Sequence, residues 1–248
     1  MSSGEVMITT ALHLGADVDD GGSSCRFCGA VLDSKGIHAS SCMAGGDAVL
    51  RHNSVRNTIF NFCRRANLRP ELEKAGVLDE PGVLVDMRRP ADIMVESMPT
   101  PGNQGVERIA FDVKVINALG PSHFDLSLTG PLAAASAYRD HAANHQCTRT
   151  RCAARGVRYE PLVFTTQGGC ESHAEAFLSS IAELVAKAEF KDTNIIKSEL
   201  LEAISLSIVR SVARAVFRRR KTYAFTINPA QRRIADELAV LVDDDTDD

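Results

Sequence analysis

Asp92, Asp112 and Lys114 are the residues of this sequence whose types and spacing best suit chemistry. Asp112-Val113-Lys114 lies within Arg108 to Val115, a β-like run in which alternation places Asp112 and Lys114 on one face and turns Val113 into the core. Asp92 opens an earlier β-like run, Ala91 to Val95, and the turn-rich stretch MPTPGNQG between the two predicts a hairpin. Two carboxylates on neighbouring strands can share one divalent cation, Mg²⁺ or Mn²⁺, of the kind that prefers hard oxygen ligands. Such a cation neutralises a phosphodiester and activates a water, and a nearby lysine can orient or deprotonate that water. An aspartate and a lysine among Ile109, Phe111, Val113 and Val115 are costly to bury without a purpose. Asp-x-Lys alone better suits the solvent face of an edge strand; Pro90-Ala91-Asp92 across the hairpin reverses that and makes it a site. Glu73 is a weaker third ligand candidate, in a segment (Pro70 to Leu78) that reads as a strand with Glu71 and Glu73 on one face.

A second set is Cys25-x2-Cys28-x9-His38-x3-Cys42, four soft or borderline ligands at the short spacings of zinc sites. Gly29 and Gly36 permit the tight turns of such a knuckle. With all four positions supplied by protein, the Zn²⁺ is expected to be structural, because catalytic zinc keeps one place open. Cys63, Cys147, Cys152 and Cys170 are scattered and read as core or incidental.

The elements that position these residues follow from periodicity. Residues 1–24 read as a flexible lead ending in Gly21-Gly22-Ser23-Ser24. Val55, Ile59, Phe62, Cys63 and Ala66 recur at helical spacing over Arg51 to Leu68, with Pro70 as the stop. His52, at the start of that helix, reads as a cap or packing residue, although a catalytic role is open to it. Pro131 to Arg155 is alanine-rich and predicts one helix closed by Gly156. Val157 to Thr166 predicts a strand, and Glu171 to Phe190 and Ile195 to Arg220 predict helices. A short helix capped by Asn228 precedes the acidic tail. The order describes an α/β core with a mixed sheet flanked by helices. Its parts are the lead (1–24), the zinc knuckle (25–50), the core (51–190), a helical extension with a basic patch (191–242) and the tail (243–248).

With 248 residues, 44% hydrophobic and 24% charged, the chain suits one sizeable core plus a small accessory module. A net charge of −4 excludes a general electrostatic pull toward nucleic acid. Phosphate contact must come from local patches: Arg51 and Arg56 on the first helix, and Arg210, Arg214, Arg218, Arg219, Arg220 and Lys221 near the end of the last. The latter set equally suits a solvated helix terminus, because Ile204, Ile208, Val212 and Val216 make the opposite face a core face. No apolar run is long enough for a bilayer and the first residues lack a signal-peptide pattern, so no membrane role is expected. Clustered cysteines then imply a reducing, intracellular compartment, nuclear if the source is eukaryotic.

The order of these features resembles a known family. A CCHC cluster, then Arg51-His52-Asn53-x2-Arg56, Arg89-Pro90-Ala91-Asp92 and Phe111-Asp112-Val113-Lys114 resembles the restriction-like endonuclease at the C-terminal end of site-specific non-LTR retrotransposon polyproteins. Glu160-Pro161-Leu162-Val163-Phe164 with Gly168-Gly169, and the Leu206-Ser207-x5-Ala213-Arg214 helix, extend the likeness over about residues 25–221. The resemblance implies a PD-(D/E)XK nuclease fold and Mg²⁺-dependent cleavage of target DNA. It makes Asp92 and Asp112 metal ligands and Lys114 the catalytic lysine, with Glu73 a looser match. The chain lacks a Tyr/Phe-x-Asp-Asp polymerase motif, so it is expected to be a separate nuclease, a domesticated copy or a fragment. The helix after Ala133 lacks the lysines that related nucleases place near the phosphate, for which His141, His145, Arg149 or Arg151 can substitute.

Three functions follow: a metal-dependent DNA endonuclease, with branched DNA among its candidate substrates, a zinc-containing DNA-binding module of a retroelement with a vestigial site, or an RNA-directed role within a larger retroelement particle that includes retroelement RNA or a reverse transcriptase. The intact Asp92/Asp112/Lys114 set favours the first over the second. The absence of Trp and a count of only three Tyr leave the third without a stacking motif.

Overall fold

The computed structural model describes residues 1–78, 90–99, 105–130 and 132–219. The tip of the expected hairpin, the helix at Asn228 and the acidic tail lie outside the described residues. The architecture is mixed α/β, with a four-stranded sheet in the order β1 (Glu71–Leu72), β2 (Ile93–Pro99), β3 (Val106–Ile116), β4 (Val157–Thr165). Both β1–β2 and β2–β3 are antiparallel, and β3–β4 is parallel. Crossing from β3 to β4 requires a long connection, which α4 (Phe124–Thr129), α5 (Ala133–Asn144) and α6 (Thr148–Ala153) supply.

Alternation along the strands divides the sheet into two apolar faces. Ile93, Val95, Ile109, Phe111, Val113, Leu162 and Phe164 meet α3 (Asp47–Arg65), α7 (Ser172–Glu189) and α8 (Thr193–Arg219) in the main core. Each fully buried Ile, Leu or Phe there contributes about 1.5–3 kcal/mol. Met94, Ala110, Val157 and Tyr159 turn the other way, against Ala143 of α5 and Cys152 of α6. Cys63 belongs to the main core, where burial pushes its thiol up to about 12. Among the described residues no helix is long and apolar enough to cross a membrane.

Several expectations change. The first residues are not a flexible lead: Ser3–His13 form α1, started by a capping box between Ser2 and Glu5 and pinned to α8 through Ile8, Ala213 and Val216. Helix α3 begins at Asp47, so the boundary expected at residue 50 falls inside it. It stops at Arg65 because Asn67 turns left-handed at φ 58°, before Pro70 is reached. The single helix expected over residues 131–155 is two. Gln146 and Cys147, at φ 49° and 56°, break it through one 3₁₀ turn (His145–Cys147) and redirect α6. Residues 193–219 are not an extension: Ile196, Leu200, Ile204, Ile208 and Val212 complete the main core.

Candidate metal centres and nuclease site

The Cys3His cluster is built by a tight turn and a short helix. Cys25 donates its N–H to Ala30 O (2.7 Å), Gly29 returns its N–H to Cys25 O (2.8 Å), and Gly29 adopts φ 77°. Asp33 accepts from the N–H groups of Ile37 and His38, which starts α2 (Ile37–Ser41) and fixes His38. The ligand atoms of Cys25, Cys28, His38 and Cys42 lie within 4.8 Å of one another. Cys28 Sγ is 3.3 Å from His38 Nε2 and 3.7 Å from Cys42 Sγ. Four donors at these separations suit the Zn–S and Zn–N bonds of a tetrahedral ion, so the cluster can hold zinc. Burial opposes a charge on Cys25, but the backbone N–H groups of Phe27 and Cys28 and the His38 ring outweigh it and bring the thiol down to about 6. A sulfur so prepared releases its proton readily and binds a metal as the thiolate.

The second centre lies on the sheet. Antiparallel pairing of Ile93 with Phe111 brings Asp92, one residue before β2, beside Asp112. Asp92 Oδ2 accepts the Val113 N–H at 2.7 Å, and Asp92 Oδ1 is 3.3 Å from His52 Nε2. Asp112 Oδ1 is 2.8 Å from Lys114 Nζ, and its Oδ2 accepts the Tyr159 hydroxyl from β4. Lys114 and Tyr138 line two cavities at once, of about 520 Å³ and 400 Å³. The larger is bounded by Ser41 and Met43 of the cysteine module, His52 of α3 and the Gly120–His123 loop. The smaller holds Asp112 and Tyr159 opposite His141 of α5 and His145 of the 3₁₀ turn that follows it.

Charge is distributed unevenly across this site. Burial opposes ionisation of Asp92, but His52 and the Val113 N–H outweigh it and hold the carboxyl below the usual carboxylate range. Burial pushes Asp112 up to about 6 against the pull of Lys114, and the Asp92 charge adds to the rise. Burial also works against Lys114, but Asp112 overrides it and keeps the ammonium protonated above the usual lysine range. Burial and the Asp112 carboxylate push Tyr159 upward, so its hydroxyl stays a donor. Two carboxyls in hydrogen-bonding contact, one of them reluctant to ionise, fit a divalent cation, whose charge removes the conflict.

Other expected residues are placed differently. Glu73 follows β1 with φ 50°, and its carboxylate is bonded by Arg56. Among the described residues, no group of three carboxylates comes within reach of one ion, so Glu73 is not gathered with the aspartates. The reading of Arg51 and Arg56 as phosphate contacts is corrected, because both are buried and committed. Arg51 donates to Ser40 O (3.0 Å), and burial beside Arg219 lowers its guanidinium to about 10. Arg56 serves Glu73 and Asn57.

The basic face expected along the end of α8 is interrupted in the same way. Arg219 is 0% exposed and donates to Asp47 Oδ2 and to the carbonyls of Cys42 and Ala44. Arg218 shares Asp47, Arg214 pairs with Glu5 while staying exposed, Arg210 is exposed, and Arg220 and Lys221 lie outside the described residues. Arg219→Ala, which leaves Asp47 to Arg218 alone and strands the Cys42 and Ala44 carbonyls, is therefore expected to cost about 1–3 kcal/mol of stability in denaturant unfolding. It should leave the salt dependence of any DNA binding unchanged; a shallower salt slope with intact stability would restore Arg219 to the phosphate-binding face.

Sequence reasoning gave Tyr159 no role and read His52 as a cap or packing residue, with a catalytic role left open. Of the four proposed substitutes for missing lysines, His141 and His145 face the Asp112/Lys114 cavity. Arg149 instead lines a separate one of about 580 Å³, and Arg151 donates to Leu78 O. No family model matches the chain, and no curated protein matches it.

Proposed function

We propose that this protein is a divalent-metal-dependent endodeoxyribonuclease, related to the restriction-like enzymes of site-specific non-LTR retrotransposons, with a structural zinc ion in its Cys3His module. The observation that carries the reading is the register that sets Asp92 beside Asp112 with Lys114 Nζ 2.8 Å from Asp112. When bound by the two aspartates, Mg²⁺ or Mn²⁺ neutralises charge on the phosphate and makes a water nucleophilic. The chain's own groups do the rest. Tyr159 holds the Asp112 carboxylate, and the Val113 N–H holds that of Asp92. Lys114 carries its proton, so it orients the water or a phosphate oxygen instead of accepting a proton. Lys114 lines both cavities, which leave room for a nucleic-acid chain beside it. Among the described residues, exposed Arg210 and Arg214 remain candidates for remote phosphate contact. The thiol cluster suits a reducing, intracellular compartment.

Nicking of supercoiled plasmid in Mg²⁺ tests this reading. Asp92→Asn should slow nicking about a thousandfold or more, because the cation's charge stabilisation is worth several kcal/mol. Equal nicking by the wild type and the variant would end the nuclease reading.

A further inference from the structure

His52 contacts Asp92, a candidate cation ligand, and its surroundings show what that contact does. Helix α3 touches the strand ends at two points one turn apart. His52 Nε2 reaches Asp92 Oδ1 at 3.3 Å, and Arg56 holds the Glu73 carboxylate. The two points are joined, since the Glu73 N–H donates to Asp92 O at 3.0 Å. The same stretch of helix is anchored on its other side to the cysteine module. Asp47 binds Arg218 and Arg219, Arg219 donates to Cys42 O and Ala44 O, and Arg51 donates to Ser40 O. Asp92 Oδ2 is taken by the Val113 N–H, so the carboxylate is gripped at both oxygens, once by the sheet and once by His52. His52, Asp92 and Asp112 do not form a group whose three ligand atoms lie within reach of one ion, which argues against His52 as a ligand itself. Nor does any contact bring the ring to Asp112 or Lys114, where a proton would have to be taken from water.

We propose that His52 is a positioning residue that fixes the Asp92 carboxylate for a divalent cation shared with Asp112, and that it ties the cysteine module to the catalytic centre through α3. This rests on the reading of Asp92 and Asp112 as the cation's ligands. A donor to the outer oxygen of a ligating carboxylate sets its orientation, and loss of such a partner costs about 10- to 100-fold in metal affinity.

Mn²⁺ binding to the zinc-loaded full chain, followed by the signal of free Mn²⁺ in electron paramagnetic resonance, gives a readout independent of cleavage. His52→Ala should weaken Mn²⁺ binding about 10- to 100-fold with zinc content and thermal unfolding unchanged. His52→Gln, whose amide N–H can replace Nε2–H, should recover most of the loss. The proposal is overturned if His52→Ala binds Mn²⁺ as the wild type does, or if His52→Gln binds no better than His52→Ala. It is also overturned by a ring-nitrogen coupling to bound Mn²⁺, which would make His52 a ligand. Should His52→Ala lose zinc and unfold, the His52→Gln comparison decides alone. Asp112→Asn separates the two levels: if it too binds Mn²⁺ like the wild type, the cation reading of the aspartates has failed and the His52 role with it. If only His52→Ala is silent, the His52 role fails by itself.

Discussion

Asp112→Asn is expected to abolish strand cleavage while making the metal-free protein more stable at neutral pH. The two effects have one cause. Asp112 sits in the sheet with a side chain only 10% exposed, where burial pushes its carboxyl from the usual 3.8 up to about 6. A carboxyl raised in the folded state contributes stability while protonated, below its unfolded value, and loses it as pH rises through the folded value. The wild type therefore gives up about 3 kcal/mol between pH 4 and pH 7, since each tenfold change in proton affinity between the folded and unfolded chain is worth about 1.4 kcal/mol. An asparagine has no charge to bury, so the variant should be more stable than the wild type at pH 8, with the gap narrowing toward pH 5. Mg²⁺ should reverse the order by stabilising only the protein that binds it. Cleavage should fall about a thousandfold or more. Denaturant unfolding at several pH values, with and without Mg²⁺, reads the first effect, and plasmid nicking reads the second. A variant less stable at pH 8 without metal would mean that Asp112 serves the fold through Lys114 and Tyr159 instead of being a strained site residue.

The parts of this site that could be read from the sequence are those set by local periodicity. Alternation in a strand fixes Asp112 and Lys114 on one face, and a turn-rich hairpin brings Asp92 close to Asp112 whatever its loop does. Tyr159 was hidden because its approach to Asp112 depends on the parallel register of β3 and β4, set by a crossover of some forty residues. His52 was hidden by helix phase: it lies beside the core stripe of Val55 and Ile59, where a histidine usually signals packing. The basic run at 218–219 misled for a physical reason, since the same charges that suit phosphate also satisfy Asp47 and the open carbonyls after α2. One signal was present and missed, the Ser2-x-x-Glu5 capping box that starts α1. The break at Gln146 and Cys147 has no comparable mark, because neither residue is a glycine or proline.

Removal of zinc is expected to unfold residues 1–52 while leaving the sheet largely intact. The module has little apolar core of its own. Ile8, Val18 and Ala39 reach Ala213 and Val216 of α8, but no residue between 18 and 50 belongs to the main core. Structural zinc in small modules supplies about 10–16 kcal/mol, as much as or more than the about 5–15 kcal/mol of a whole domain. Without it, three sulfurs and an imidazole within 4.8 Å of one another have no common partner. The loss spreads along defined contacts: the Cys42 and Ala44 carbonyls that receive Arg219, the Ser40 carbonyl that receives Arg51, and the Ile37 carbonyl and Ser40 hydroxyl that receive Asn117. It should stop at the main core, where Ile59, Phe111, Leu178 and Ile204 pack without the module. Cys25→Ser/Cys28→Ser should therefore lose its zinc and show fast amide exchange over the first 52 residues with protection retained in β3 and α7. Nicking should fall as well, because His52 leaves Asp92 when the start of α3 frays. Chelation must be followed by dialysis into Mg²⁺ before cleavage is measured, since EDTA removes both metals. Unchanged protection in a zinc-free chain would show that Arg219 and the small apolar cluster hold the module unaided.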